Sequence, residues 1–326
     1  MISSINKKRL NRSELAVPAS RPEFFEKAAK SDSDIVFLDL EDSVSENKKI
    51  KARELAVEAI NDIDWGNKVV SVRVNDYKSN FLKEDVESVV GRTNGRLDLL
   101  MIPKIERAEN IHEVDELVSD IEHKTKKAKK IGFELIIETA LGLINIEKIA
   151  TACDRNESLH FGSADLAASM GAKTTSIGGI NKNYGILDNI KSSNISSENN
   201  FYLNDMWHYA LFKIVLTSRA FGLRAIDCPY GDFNDLEGFF SLAKNTYSLG
   251  FDGKMVIHPN QIEHANKVFS PTDEEITKAR SIMAAMNTSN ADGKGAIAIN
   301  GKLLDIVSIK QAKNILDMAK KISEKD

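Results

Sequence analysis

The sequence predicts a (β/α)8 barrel with a C-terminal helix–hairpin–helix extension, and three observations carry that fold class. Eight short apolar runs recur along the chain: Leu15–Val17, Ile35–Leu40, Val69–Val74, Leu97–Ile102, Phe133–Ile137, Ser158–Phe161, Leu223–Ile226 and Lys254–Ile257. Most are nearly continuous rather than alternating, the pattern of parallel strands covered on both faces. The stretches between them have helical spacing, and eight strand–helix units in about 270 residues suit such a barrel. A doubly wound open sheet is the competing arrangement, but no G-x-G-x-x-G follows the first run.

Lys51 to Ile63 places Leu55, Ala59 and Ile63 on one predicted helix face, and Asn110 to Ile121 does the same with Ile111, Val114, Val118 and Ile121. Two segments break the rhythm. Gly171 to Asn204 has no clear period and includes a Ser/Asn-rich stretch at 189–200. It reads as a long loop on the face of the strand ends, either a lid or a tolerated insertion. Beyond Pro271, a helix from Asp273 to Met286 leads to a hairpin turning at Asn300–Gly301 and a last helix from Ile309 to Ile322. The expected division is therefore a catalytic barrel over 1–270 and an extension over 271–326, too small to stand alone, that packs on its own barrel or a neighbour's.

Composition narrows the class. With 326 residues, 42% apolar and 28% charged, the chain reads as an ordinary globular protein, and a net charge of -4 gives no electrostatic case for nucleic acid. The lysine run from Lys124 to Lys130 reads as a solvated helix end. No apolar run is long enough to cross a bilayer, and the polar, basic stretch from Met1 to Arg12 lacks a secretory apolar core. Cys153 and Cys228 match no metal spacing, so two reduced thiols in a cytoplasmic protein are expected.

In a barrel of this kind chemistry sits at the C-terminal ends of the strands. Polar residues there are Ser20 and Arg21, then Asp39, Glu41 and Asp42, then Arg73, Lys104, Glu138, Asp165, Asp227 and His258. Packing alone would not need a charge at nearly every mouth position. Glu138 and Asp165, with no histidine beside them, suit a hard cation bound by oxygen, most plainly Mg²⁺. The structural alternative is an ion pair of Glu138 with Arg73 or Lys104. Arg73, inside an apolar run, is either an oxyanion donor or the partner of Glu41 or Asp42. His258 reads as a neutral histidine bonded to a backbone carbonyl. Ser176–Ile180 is glycine-rich but lacks the flanking strand and helix of a phosphate loop.

Several stretches together resemble one family: Leu38–Ser43, Val72–Asn75, Met101–Lys104, Phe133–Gly142, Phe161–Ser169, Gly231–Asn234, Ile257–Pro259 and Leu304–Gln311. The chain is similar, from Arg12 to its last helix, to the malyl-CoA/β-methylmalyl-CoA lyases of the HpcH/HpaI aldolase family, which also holds the citrate lyase β-subunit. The resemblance implies reversible, Mg²⁺-dependent cleavage of malyl-CoA to acetyl-CoA and glyoxylate, and of β-methylmalyl-CoA to propionyl-CoA, with Mn²⁺ as a possible substitute. It implies Glu138 and Asp165 as metal ligands, Arg73 as the arginine on the thioester oxygen, and Arg21 and Lys27 as contacts to CoA. Ala164, Val256 and Ile257 match substrate contacts. Asp305 matches a proton-carrying acid delivered into a neighbouring subunit, which implies a trimer or a dimer of trimers. The first strand reads Ala16-Val-Pro-Ala-Ser20 where family members include glycine-richer variants, which leaves acyl preference open. Citramalyl-CoA cleavage, malyl-CoA thioester hydrolysis, a malate-synthase-like reaction and a non-catalytic CoA-binding subunit are the rival readings.

Overall fold

The structure, a computed structural model, describes residues 9–127, 129–174, 176–188, 200–291, 297–299, 302–304 and 306–325. Strands β1 (Ser13–Pro18), β2 (Ile35–Asp39), β3 (Val69–Arg73), β4 (Leu99–Ile102), β5 (Gly132–Ile137) and β6 (Asn156–Phe161) come first. A short antiparallel pair, β7 (Gly185–Asp188) and β8 (Asn200–Leu203), interrupts them before β9 (Arg224–Asp227) and β10 (Gly253–Val256). Eight of these strands close a parallel barrel in the order β1-β10-β9-β6-β5-β4-β3-β2. All eight predicted strands are present. The segment expected to be a loop instead contains the β7–β8 hairpin.

The chain divides into two units, Met1–Ala265 and Asn266–Asp326. The second holds the helix Asp273–Ala291, β11 (Ile297–Ile299), β12 (Lys302–Leu304) and the helix Ile306–Lys325, with the two helices packed on each other. Ile299 pairs with Lys302 in the antiparallel β11–β12 ladder, on either side of the expected Asn300–Gly301 turn. The turn residues themselves lie outside the described set.

Strand alternation sets what the barrel encloses. Phe37, Met101, Ile136, Ile226 and Met255, from five different strands, form one buried cluster, with Ala16 of a sixth packed against it. Residues from strands all around a closed sheet meet only in its interior, so these positions face inward, and residues two away on each strand do the same. One step toward the N-terminus gives Glu14, Glu134 and Arg224; one step toward the C-terminus gives Asp39 and Glu138. The barrel is thus layered as a polar floor, an apolar waist and an acidic mouth.

The floor is fully buried. Ser71 Oγ donates to Glu134 Oε2 at 2.8 Å, and Asn11 Nδ2 donates to Glu14 Oε2 at 3.1 Å. The His160 ring lies between the two acids, 3.8 Å from Glu14 and 3.5 Å from Glu134. Arg224 bridges Glu157 at 3.3 Å and Glu134 at 3.7 Å, while Arg9 binds Glu157 at 2.8 Å. Among the described residues, Glu14, Glu134 and His160 are the one trio of metal-ligating type whose atoms lie within 4.8 Å of one another. Charge balance argues against a divalent ion there: three carboxylates face two guanidinium groups, and one proton closes the difference where M²⁺ would overshoot it. Burial and the neighbouring Glu134 charge hold the Glu14 carboxyl well above the ordinary range, which favours a proton at Glu14.

The helices outside cover the barrel with differing faces. The helix Lys49–Asp62 buries Ala52, Ala56, Val57, Ala59 and Ile60. Its inner face is therefore rotated from the predicted Leu55/Ala59/Ile63 stripe, and Leu55 and Ile63 are only half-buried. The helix Ala108–Thr125 buries Ile111, Val114 and Val118 as expected, but Glu122 replaces Ile121. Glu122 is carried inward by Arg155, whose Nη2 lies 2.7 Å away. The lysines after this helix are not simply solvated: Lys127 donates to the Thr93 carbonyl and Lys129 pairs with Asp98. No described helix is long and apolar enough to cross a membrane.

The floor sets a pH dependence. A carboxyl whose folded pKa is raised binds a proton that the unfolded chain releases, so its contribution to stability is complete below pH 4.5 and is lost as pH rises through the folded value. Glu14→Gln mimics the protonated acid. Thermal unfolding from pH 5 to 8 should decline less steeply in the variant, by up to about 1.4 kcal/mol per pH unit. A variant with an unchanged slope, or one that unfolds at pH 8, would show that Glu14 is ionised in the fold.

Candidate active site

The mouth is built from the residues that follow β2, β3, β4, β5 and β6. At the end of β2, Asp39 accepts hydrogen bonds from the backbone N–H groups of Glu41 (2.9 Å) and Ser43 (3.1 Å), which folds the turn back over the barrel. Its two oxygens also receive Nε and Nη2 of Arg73 on β3, each at 2.7 Å. This bidentate fork fixes the guanidinium plane. Burial opposes ionisation of Asp39, yet the Arg73 charge and these donors hold its pKa at about 2. Phe37 lies beneath, with the guanidinium carbon 5.8 Å from its ring centre. Arg73 Nη1 faces Glu41 at 3.3 Å and Asp42 at 3.8 Å. The principal partner of Arg73 is therefore Asp39, while Glu41 and Asp42, the partners expected from sequence, sit at its free edge.

After β4 the chain turns through Lys104 with φ +52°, the left-handed region. There its N–H donates to Glu138 Oε1 at 2.8 Å. Its ammonium pairs with Glu41, with Asp42 at 3.2 Å and with Asp165 at 3.7 Å. Glu138, at the end of β5, is buried, and Asp165 lies in the first turn of the helix Ser163–Met170, where the backbone amides favour a negative charge. Gly162 stands between them. A Cβ there would come within 2.4 Å of both Glu138 Cβ and Oε2, so only glycine lets the carboxylate lie against this backbone.

Five carboxylates (Asp39, Glu41, Asp42, Glu138 and Asp165) thus surround two cations, Arg73 and Lys104. The imbalance is visible in their acidities. Burial, then the charges of Glu41 and Asp165, push Glu138 up to about 8 against Arg73 and Lys104. Burial with Asp42 pushes Glu41 up to about 7 despite the same two cations. Glu41 Oε2 is buried and accepts no hydrogen bond, with the Arg73 charge alone beside it. An oxygen-only donor set with excess negative charge and an unsatisfied oxygen fits a hard divalent cation.

The other predicted residues are placed less centrally. Arg21, after β1, is exposed, pairs with Glu23 at 2.5 Å and lies over the Phe24 ring; Lys27 is exposed on the next short helix. Ala164 is exposed beside Asp165. Val256 is buried, and the Ile257 N–H is taken by Gln261 Oε1 at 3.0 Å, which leaves the exposed Ile257 side chain as its free contact. Asp305 lies outside the described residues. Asp227 does not belong to the mouth: it points outward under the helix Leu236–Leu249, paired with Lys254 at 2.6 Å and Thr246 at 3.1 Å. A cavity of 310 Å³ lies there too, lined in part by Asp227, Cys228, Lys254 and Trp207, away from the acids of the mouth. His258 accepts from the Asn260 N–H at 3.3 Å and stacks on Phe233, rather than donating to a carbonyl. The glycine-rich loop spends its backbone on packing: Gly178 N–H donates to Ser163 Oγ at 2.9 Å, and a Cβ there would meet the Pro229 carbonyl at 2.5 Å.

A closed barrel with a fixed arginine beside cation-seeking acids at its C-terminal mouth has the make-up of a metal-assisted enzyme site. The chain belongs to the HpcH/HpaI aldolase/citrate lyase family, whose model matches residues 12–259. It is 44% identical over 315 residues to the L-malyl-CoA/β-methylmalyl-CoA lyase of Cereibacter sphaeroides, covering 97% of this chain and 96% of that one. It is 37% identical to the malyl-CoA/β-methylmalyl-CoA/citramalyl-CoA lyase of Chloroflexus aurantiacus, over 90% and 82% of the two chains. Among solved structures it is similar to the protein CitE of Mycobacterium tuberculosis in complex with magnesium, acetoacetate and coenzyme A. That match has a TM-score of 0.72 and 27% identity, over 95% of this chain and 98% of the other.

The close approach at Gly162 is directly testable. Gly162→Ala should fold, by circular dichroism, but weaken Mg²⁺ binding by about tenfold or more in calorimetry, the scale of a displaced support for a metal ligand. Unchanged binding would detach Glu138 from the cation.

Proposed function

We propose that this chain is an Mg²⁺-dependent lyase that reversibly cleaves L-malyl-CoA to acetyl-CoA and glyoxylate, and β-methylmalyl-CoA to propionyl-CoA and glyoxylate. The observation that carries the reading is the pairing, at one mouth, of an arginine locked by Asp39 with two acids, Glu138 and Asp165, that lack enough positive charge. The names of the relatives and the contents of the similar CitE structure supply the substrate class.

On this reading Glu138 and Asp165 hold the cation. When bound, it supplies Lewis-acid and template chemistry for the hydroxyl and carboxylate oxygens, with Mn²⁺ an acceptable substitute. Arg73 keeps Nε and Nη2 on Asp39 and directs its remaining edge to the thioester oxygen. The charge that develops there on C–C cleavage meets a donor already in place. The hydroxyl proton leaves as the aldehyde forms, and the acetyl carbon takes up a proton. We assign proton transfer at that carbon to Asp305, brought by the 271–326 extension of a neighbouring subunit in a trimer or dimer of trimers. Arg21 and Lys27, two exposed cations after β1, suit the phosphates of CoA, and Ala164, Val256 and Ile257 line the acyl end. Two free cysteines suit the reducing cytoplasm.

Purified chain given acetyl-CoA, glyoxylate and Mg²⁺ should accumulate malyl-CoA. Release of free CoA with malate would instead establish synthase or thioesterase chemistry. The Chloroflexus relative's name gives citramalyl-CoA a specific claim as a further substrate, read as pyruvate formation from it. Arg73→Ala and Asp305→Asn should each lower kcat by roughly 10²–10³, the value of one preorganised group of about 3–4 kcal/mol. A retained rate in either variant removes that residue from the mechanism.

A further inference from the structure

Lys104 makes more contacts to the site than any role given to it so far requires. We propose that Lys104 is the resident counter-ion of the mouth: its ammonium holds Glu41, Asp42 and Asp165 when no divalent cation is present, and competes with that cation for Asp165. The inference rests on the metal reading of Glu138 and Asp165 and extends it to a residue outside the ligand pair.

Four observations converge on it. The ammonium reaches three acids from two separate strand ends, pairing with Glu41, with Asp42 at 3.2 Å and with Asp165 at 3.7 Å. The backbone N–H of the same residue holds Glu138 at 2.8 Å, so one residue grips both proposed ligands. Its φ of +52° is shared, among the described non-glycine residues, only with Lys126, which ends a helix. Lys104 ends no helix, and its left-handed backbone aims its N–H at Glu138. Finally, the Lys104 side chain is only a quarter exposed, which strengthens its attraction to the acids relative to a solvated lysine.

The physical consequence has a definite sign. Without the ammonium, the acids repel one another more strongly and the metal-free barrel loses stability. A divalent cation entering that more negative site is bound more tightly. A residue that merely shaped the site would, when removed, weaken cation binding or leave it unchanged. Lys104 therefore separates two quantities that normally move together, stability without metal and affinity for metal.

The test compares wild type, Lys104→Met and Lys104→Arg, each stripped of metal and titrated with Mg²⁺ by calorimetry, with thermal unfolding measured before and after. Lys104→Met should bind Mg²⁺ about tenfold more tightly or better, unfold at a lower temperature without metal, and gain a larger upward shift on adding it. Lys104→Arg, which keeps the charge, should bind as wild type does. Lys104→Gly, which removes the ammonium and relieves the φ, serves the same comparison if the methionine variant does not fold. Equal or weaker binding in the charge-free variant overturns the inference while leaving the metal site intact. A wild-type chain that binds no Mg²⁺ at all overturns the metal reading and this inference together.

Discussion

Alternation of side chains along strands in a closed parallel barrel is the constraint from which the rest follows. Once Phe37, Met101, Ile136, Ile226 and Met255 meet in the interior, the residues two places along each strand have no choice of side. Asp39 and Glu138 must stand above the apolar waist, and Glu134 and Arg224 must lie below it. The waist then acts as an insulator. It raises the cost of charge on both of its faces, and each face answers differently. Below, where no solvent enters, burial and the Glu134 charge favour a proton on Glu14. Above, where the mouth opens, negative charge remains in excess of the two cations.

The mouth shows how one residue type takes several roles. Asp39 receives four donors and is held at about 2, which makes it a permanent anchor for Arg73. Glu138 receives one backbone donor and two repelling neighbours and rises to about 8. The difference arises from the number of N–H groups aimed at each oxygen and from the sign of the nearest charges, since both groups are buried. An acid that keeps its proton near neutrality without a cation, and releases it to bind one, is loosely held by protein alone. Such an acid suits the ligand role proposed for Glu138.

Much of this was legible in the residues. Strands buried on both faces appear as unbroken apolar runs, so all eight barrel strands could be located, and with them the strand ends that carry Arg73, Glu138 and Asp165. The β7–β8 hairpin was missed because it has little burial to record: Ile186 and Tyr202 are more than half exposed. The helix Lys49–Asp62 shares only Ala59 with the stripe its spacing predicts, because its packed face is turned toward Ala52, Ala56, Val57 and Ile60. Arg73 plainly required a counter-ion. Choosing Asp39 over Glu41 or Asp42 needed the inward parity of Phe37, which becomes known only when the barrel is closed. A left-handed lysine leaves no trace in composition or period.

These gaps share a cause. Sequence patterns report how often a side chain is buried along its own element, whereas the site depends on groups brought together from five elements. The extended runs say that Glu138 and Asp165 follow neighbouring strands. They do not say that the Lys104 N–H will orient one and its ammonium will draw the other. Nor do they say that Gly162 must lack a Cβ for the first to fit. Both details follow from barrel closure, which sets strand ends side by side at spacings where a single Cβ or one extra charge decides the outcome. The selectivity of such a mouth thus resides as much in what holds its acids as in the acids themselves.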